Sequence, residues 1–478
     1  MTMTSLLLAL GGLVALTLFA VLLFQQLFYL LLLTVALAAL LLRPPRRETR
    51  TLWSELVDVA PSLTILVPAH DEEATIVDSV RALLALQYPR FEVVVVDDGS
   101  RDATLARLRE AFALEPVAGP PPQRLVRAPV RGVWRARDLP RLTVVAKENG
   151  GKSDALNAGL ELATGELVCS VDADSLLESD SLLRAVEPFV LDETTVAVGG
   201  TVRVANGCRV ERGRVVAAEL PRRWLPRLQA MEYIRAFVMA RLAFARLGAL
   251  TIVSGAFGLF RRDLVLELGG YRRDTVGEDF ELVMRIHRHC RERGRPYAVH
   301  FVPEPVCWTQ APERWRDLAR QRIRWHRGAL ETFFAHADML TRPRRYGAPA
   351  LLGLGTLFLV DVLAPAAELL GWLLLPVLGL TGGPVLDLAL AWLALAVGGG
   401  IALSCGALIL EELELARVPR AGDLLRLALA AVVENLGYRQ FVNVCRMIGH
   451  LQWLRGATGW GRIARRGFAR PTSGEASS

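Results

Sequence analysis

The sequence predicts an α/β domain with a mixed, mostly parallel sheet, flanked at its N- and C-terminal ends by transmembrane helices. Three observations predict it. The 52% of hydrophobic residues is unevenly spread over the 478 positions: residues 1–42 carry no charge, and residues 347–410 carry three, Asp361, Glu368 and Asp387. The stretch between them, 43–345, is charged throughout like an ordinary globular protein. Inside that stretch, short β-branched runs alternate with amphipathic ones, the pattern of strand–helix–strand repeats in a parallel sheet. This distribution excludes a disulfide-stapled secreted module, a disordered chain and a protein that is membrane from end to end.

The first apolar block is interrupted only by Gly11-Gly12 and Gln25-Gln26. As one helix, residues 5–42 would be about 57 Å long, against a hydrocarbon core of about 30 Å. The expected arrangement over 1–43 is therefore a helical hairpin turning at the glutamines, with one long tilted helix as the alternative. The run exceeds the roughly 7–15 residues of a signal h-region and lacks a charged leader, so it is expected to be retained. Arg43, Arg46, Arg47 and Arg50 follow it, and Arg342, Arg344 and Arg345 precede the second block. That is the positive-inside pattern. It places a central domain, residues 60–312, in the cytoplasm, below a multi-pass anchor in the cell inner (plasma) membrane.

Strands are predicted over 63–67, 92–96, 142–146 and 167–171, with helices over 74–86 and 154–163 between them. Ligands of such sheets bind beyond the carboxyl ends of the strands, and there the acidic residues of this chain cluster. Residues 114–141, with Gly119-Pro-Pro-Pro and six arginines, and residues 205–227 are expected to be surface insertions, the first of them mobile. Residues 313–345 contain the amphipathic, Arg-rich run Trp315–Phe334, suited to lie flat at a membrane surface. Apolar runs at 347–363, 366–380 and 388–410, and a more polar one at 424–448, make 346–450 a second membrane region, with Pro365 splitting the first two. Two or four crossings fit it equally. A basic tail, 451–478, is expected in the cytoplasm.

The net charge of +7 is modest, and no Lys/Arg run is interleaved with aromatics, so nucleic acid is not an expected partner. The six cysteines form no CxxC pair, which favours reduced thiols over zinc or disulfides.

Five short motifs carry chemistry. In Val93-Val-Val-Val-Asp-Asp-Gly-Ser100 an apolar strand ends in two carboxylates and a glycine turn. Those carboxylates can accept hydrogen bonds from a base or ribose, or simply cap a helix. Glu166-Leu-Val-Cys-Ser-Val-Asp-Ala-Asp174 ends likewise in Asp-x-Asp. If extended, Asp172 and Asp174 point the same way, offering hard oxygen ligands suited to Mg²⁺ or Mn²⁺; the alternative is a turn. The loop Lys147–Asn157 contains Gly151-Lys-Ser153, but the first glycine of a P-loop would fall at Ala146. That loop also holds both lysines of a chain whose other basic residues are all arginine, which suggests a task for a compact point charge. Glu278-Asp279 open an amphipathic helix, as dipole complements or as a general base raised by burial. Gln321-Arg-Ile-Arg-Trp325 sits on the amphipathic segment, where an Arg beside a Trp also serves as an interfacial anchor.

Taken in order, with Ser254-Gly-Ala-Phe-Gly-Leu-Phe-Arg261 between the second and the last two acidic and basic motifs, the set resembles family 2 glycosyltransferases. Specifically, it resembles the membrane-embedded processive polysaccharide synthases, which make cellulose, hyaluronan, chitin or poly-N-acetylglucosamine. The resemblance covers about residues 60–330 by motif and the flanking helices by layout. It implies a GT-A (Rossmann-like) glycosyltransferase domain that transfers a sugar from a UDP-sugar, with inversion, to a growing β-linked polysaccharide and helps translocate it. It also implies the site. Asp97 and Asp98 would hold the nucleoside, Lys152 and Asn157 would line the nucleotide-sugar pocket, and Asp172 and Asp174 would hold the diphosphate and a Mg²⁺ or Mn²⁺ ion. Asp279, with Glu278 beside it, would be the catalytic base. Arg324 would neutralise the leaving diphosphate, and Ser254, Gly255, Trp308, Gln321 and Trp325 would lie near the acceptor. Trp460–Phe468 resembles the basic tail of some poly-N-acetylglucosamine synthases. The alternative within the family is a non-processive transferase adding one sugar to a lipid or lipid-linked acceptor. A transporter or receptor with a nucleotide-binding domain would need more spanning helices and leaves the acidic motifs unexplained. The lipid bilayer is an expected partner; export subunits are not readable.

Overall fold

The computed structural model describes residues 3–43, 46–118, 123–211, 213–380, 383–415 and 421–456. The Gly119-Pro-Pro-Pro run and the tail with Trp460–Phe468 lie outside the described residues. The chain divides into two compact units: a sheet unit within 45–222 and 252–311, and a helical unit within 1–44, 223–251 and 312–463.

The sheet unit is built on ten strands: β1 (Leu63–Ala69), β2 (Phe91–Asp98), β3 (Leu114–Pro116), β4 (Val130–Ala136), β5 (Leu142–Lys147), β6 (Leu167–Ser170), β7 (Leu176–Leu177) and β8 (Thr195–Val204), then, after the hairpin β9 (Arg209–Glu211) and β10 (Arg214–Ala217), β11 (Gly258–Arg261) and β12 (Ala298–Thr309). Their order is β3-β4-β5-β2-β1-β6-β11-β8-β12-β7, with β9 and β10 forming a separate two-stranded sheet. The four predicted strands are present as β1, β2, β5 and β6, and they pair in parallel as β5-β2-β1-β6. The reason is burial on both faces, which makes a parallel strand a continuous apolar run. Ile65, Leu66, Val67 and Val93–Val96 are all at most 1% exposed. The predicted helices appear as Ile76–Leu84 and Lys152–Leu162, the first burying Ile76, Val80 and Leu83, spaced to share one helical face.

Parallel pairing brings the carboxyl ends of these strands to one edge. Asp98 pairs with Lys147 in register, and Leu66 with Ser170, two residues before Asp172. Strand β11 is antiparallel to β6, with Gly258 opposite Ser170. Its amino end therefore lies at that same edge, and carries Ser254 and Gly255 there.

The insertion expected over 114–141 is not a detached loop. It contributes β3 and β4, which extend the sheet antiparallel to β5. Within Val130–Ala136 only Arg131 and Arg135 are exposed, on one face of the strand, as an antiparallel sheet allows. Likewise 205–227 folds its middle into the β9–β10 hairpin.

In the helical unit the N-terminal hairpin is corrected. Residues Met3–Leu41 form one continuous helix with no turn at the glutamines. Glutamine is a good helix former, and here the pair is buried at 4% and 6% exposure, with Gln26 Nε2 donating to Leu395 O. Three described helices are long and apolar enough to cross a membrane: Ala9–Leu41, Pro349–Gly379 and Pro384–Leu413. The second passes through Pro365, so the expected split there is also corrected. A wide π-type turn over Leu357–Leu363 directly precedes this proline and accommodates its missing N–H. The more polar run is broken at Leu436 and Gly437, where φ reaches −116° and 108°. Residues 223–251, expected inside the central domain, belong to this unit: Leu225 and Leu228 pack on Leu318, Ala430, Tyr438 and Val442.

Candidate active site

The loop after β5 is tied to the end of β2 by Asp98. Its Oδ1 accepts from Lys147 Nζ at 2.6 Å and Gly150 N at 2.9 Å, and its Oδ2 accepts from Gly151 N at 2.8 Å. Lys147 Nζ also lies 3.0 Å from Asp154 Oδ2. A Cβ on Gly150 would strike the Asp154 carboxylate and Lys147 Nζ, so only glycine fits there. Burial pushes the Asp154 carboxyl up, but the Arg127 N–H, Lys147 and the Ala128 N–H together hold it below the usual carboxylate range. Expected to hold the nucleoside, Asp98 has both its oxygens engaged by the loop in this structure. Asp97 stands beside it at 4% exposure, with Oδ1 accepting from Ser100 N at 3.3 Å. Its carboxyl is raised by burial, against the Ser100 hydrogen bonds.

A second lysine joins the other acidic motifs. Lys152 Nζ lies 2.7 Å from Asp172 Oδ1 and 3.0 Å from Glu278 Oε1, and donates to Gly255 O at 3.4 Å. Burial opposes its charge, but Asp172, Glu278 and Asp279 outweigh that and hold the ammonium above its ordinary value. Burial pushes Glu278 up, and although Lys152 pulls it down, Asp279 adds to the rise. One ammonium facing three carboxylates leaves a surplus of negative charge, so both directions follow from the same cluster. Asp279 is less buried than Glu278. It anchors the segment before β11, its Oδ2 accepting from Gly255 N at 2.8 Å and its Oδ1 from Phe280 N at 2.8 Å. A Cβ on Gly255 would meet Lys152 Nζ at 2.9 Å and both acidic side chains at 3.3 Å. Its backbone approaches this closely because it has no side chain.

Asp172 and Asp174 do not stand on an extended strand. Strand β6 ends at Ser170, and Ser175 N donates to Asp172 O at 2.9 Å, closing a turn. Asp172 remains partly open and Asp174 is 8% exposed. Among the described residues no three His, Cys, Asp or Glu side chains form a metal-ligand group. Two carboxylates do suit Mg²⁺ or Mn²⁺, which take one or two and complete their shell with water and phosphate. An ammonium already standing against Asp172 marks a place where a cation is stabilised.

Two further expected site residues are held by the fold itself. Asn157 is buried. Its amide clamps the Tyr271 backbone, donating to Tyr271 O at 2.9 Å and accepting from Tyr271 N at 2.7 Å, with 1% exposure. Trp308 is core: it packs with Leu176, Ala205 and Val306, and its Nε1 donates to Glu178 Oε1 at 3.3 Å. Ser254 is half-buried, and its Oγ accepts from Ala256 N at 3.4 Å. Asp154, absent from the expected site, is as deeply engaged as Asp98. Its signal was available, since it lies in the first turn of a helix opened by Lys152.

Gln321, Arg324 and Trp325 belong to the helical unit, on the helix Trp315–His336. The buried arginine of that motif is Arg322, at 4% exposure, paired with Glu232 at 2.6 Å. Gln321 Oε1 accepts from Arg322 Nη1 at 2.5 Å. The Arg322 guanidinium lies 4.3 Å from the Trp325 ring centre, and Tyr233 lies 6.4 Å from it. Trp325 itself is 45% exposed, and Arg324 is half-buried.

A family model described as glycosyltransferase-like family 2 matches residues 60–328. The chain is 26% identical over 290 residues to poly-beta-1,6-N-acetyl-D-glucosamine synthase of Staphylococcus aureus (strain COL), an alignment covering 61% of this chain and 60% of that protein. It is 28% identical over 300 residues to the probable glycosyltransferase YdaM of Bacillus subtilis (strain 168), covering 61% of each. The chain thus spans about three fifths of the length of these curated relatives. Among solved structures it is similar to the mannosyltransferase PcManGT from Pyrobaculum calidifontis in complex with GDP-Man and Mn²⁺. There the TM-score is 0.54 at 22% identity, covering 90% of this chain and 99% of that one; the two share a fold.

Proposed function

The chain belongs to glycosyltransferase family 2, and from that premise we propose that it is a processive polysaccharide synthase of a cell's inner membrane. It transfers sugar from a UDP-sugar, on the cytoplasmic side, to a growing β-linked chain that its helices help to export. One observation carries the reading: Asp172, Glu278 and Asp279 gather around Lys152 at the edge where β6 ends and β11 begins. The similarity to poly-beta-1,6-N-acetyl-D-glucosamine synthase supports the polymer and an amino sugar as donor.

The roles follow from chemistry. Asp279 takes the proton of the acceptor hydroxyl. Two backbone N–H groups orient its carboxylate, and it is the more accessible of the pair. Glu278 is the more deeply buried of the two, at 3% exposure, which keeps it from attacking the sugar. One base without a second nucleophile gives a single displacement with inversion. Asp97 contacts the nucleoside, while Asp98 shapes the loop beside it. Asp172 and Asp174 would hold a divalent ion, which would supply positive charge to the departing diphosphate. The family motif gives Arg324 the same leaving group and Trp325 and Gln321 the acceptor.

The test is a panel of UDP-sugars offered to detergent-purified protein with Mg²⁺ or Mn²⁺, followed by mass analysis of the product. A ladder of polymer lengths from one donor is the expected result. A single sugar on a lipid would replace processive synthesis with single transfer, and turnover of no donor would overturn the reading.

A further inference from the structure

We propose that Lys152 is an internal counter-cation that occupies Asp172 until a nucleotide diphosphate arrives, so that divalent metal and nucleotide bind interdependently. This rests on the nucleotide-sugar and metal reading above. An ammonium has three donors, and Lys152 Nζ has three partners: Asp172 Oδ1, Glu278 Oε1 and Gly255 O. It spans the two chemical halves of the site, the Asp-x-Asp turn on one side and the Glu278–Asp279 pair on the other. Without it the three carboxylates would repel one another. With it, Asp172 Oδ1 is already in contact with a positive charge, and a metal ion taking that oxygen would meet like charge at contact distance.

A nucleotide resolves the conflict. Its diphosphate offers anionic oxygens to the ammonium, which sits on a flexible stem at the first position of the helix Lys152–Leu162. Asp172 is then released for the ion, while Glu278 loses its partner at the moment a donor is present. Residue choice agrees: among 56 basic residues only Lys147 and Lys152 are lysine. A compact charge that can swivel between anions suits this task, whereas the broad arginine fork would fix one of them.

The experiment is Mn²⁺ titration by electron paramagnetic resonance on full-length, detergent-purified protein, with and without UDP. Wild type is expected to bind Mn²⁺ about tenfold or more tightly once UDP is present, within the usual range of coupling between ligands. Lys152→Met should bind Mn²⁺ about tenfold more tightly than wild type without UDP, so the gain on adding UDP shrinks accordingly. Lys152→Gln carries the same expectation should the methionine variant fold poorly, and Lys152→Arg, which keeps the charge, should stay near wild type. Unchanged UDP-free affinity in both neutral variants would overturn the inference and leave the metal reading standing. Failure of every protein to bind Mn²⁺, even with UDP, would overturn both.

Discussion

Lys147 Nζ lies 2.6 Å from Asp98 Oδ1, in a pair whose side chains are 0% and 5% exposed. With Asp154 at 0% on its other side, this ammonium fastens the end of β2 to the first turn of the helix Lys152–Leu162.

Removing one partner of a buried ion pair strands the others. Lys147→Met is therefore expected to destabilise the sheet unit by about 3–5 kcal/mol, read as a lowered unfolding midpoint in detergent. Asp154 adds a pH signature. Its carboxyl is held below the usual range, so its stabilisation is complete above the unfolded value of about 3.9 and disappears as pH falls through the lower folded value. Asp154→Asn should flatten the acid limb of stability against pH. An unchanged limb would mean that Lys147 and the two backbone donors do not favour the charged form.

The choice between the paired acids is also testable. Asp279→Asn is expected to lower sugar transfer by about 10²–10⁴-fold, the usual worth of a general base, while UDP-sugar still binds. Glu278→Gln frees Lys152 from one of its carboxylates and should leave the base, and most of the transfer rate, in place. Near-normal turnover of Asp279→Asn alongside a dead Glu278→Gln would reverse the assignment.

What was legible in the sequence follows from where burial writes a pattern. The central strands read clearly because Val93–Val96 and Ile65–Val67 are covered on both faces, which leaves no choice but continuous apolar residues. The acidic motifs were legible as strand ends. Which way each side chain turns was not. Asp98 faces inward because Gly150 and Gly151 bring two N–H groups onto it, and Asn157 because Tyr271, more than a hundred residues away, offers it one N–H and one C=O. The Gln25-Gln26 pair misled because polarity within an apolar run signals either a turn or a buried partner, and here Gln26 finds Leu395 O. The helix Trp224–Ile234 shows the same limit: its apolar residues announce burial without naming the unit that buries them.

Metal dependence follows from the two carboxylates of the Asp-x-Asp turn. Excess EDTA should abolish transfer, and added Mg²⁺ or Mn²⁺ should restore it. Asp174→Ala should remain inactive at any metal concentration, while its unfolding midpoint stays close to wild type. Full activity in EDTA would remove the ion from the proposed mechanism.

Trp325 separates processive synthesis from single transfer. Its indole has the Arg322 guanidinium 4.3 Å away and remains 45% exposed, so part of the ring stays open beside a fixed cation. An open indole grips a sugar by apolar contact and a polarised face, with few directional bonds to break when a chain advances. Arg324, one position earlier, projects from a different side of the same helix. Trp325→Ala is therefore expected to keep most UDP-sugar hydrolysis to water and to lose long product. Arg324→Ala should lose both activities, because leaving-group departure is common to them. Product lengths resolved by mass, alongside UDP release, distinguish the cases. Normal lengths at a normal rate from Trp325→Ala would make this tryptophan a packing partner of Tyr233 and Arg322 and leave single transfer as the better account of the enzyme.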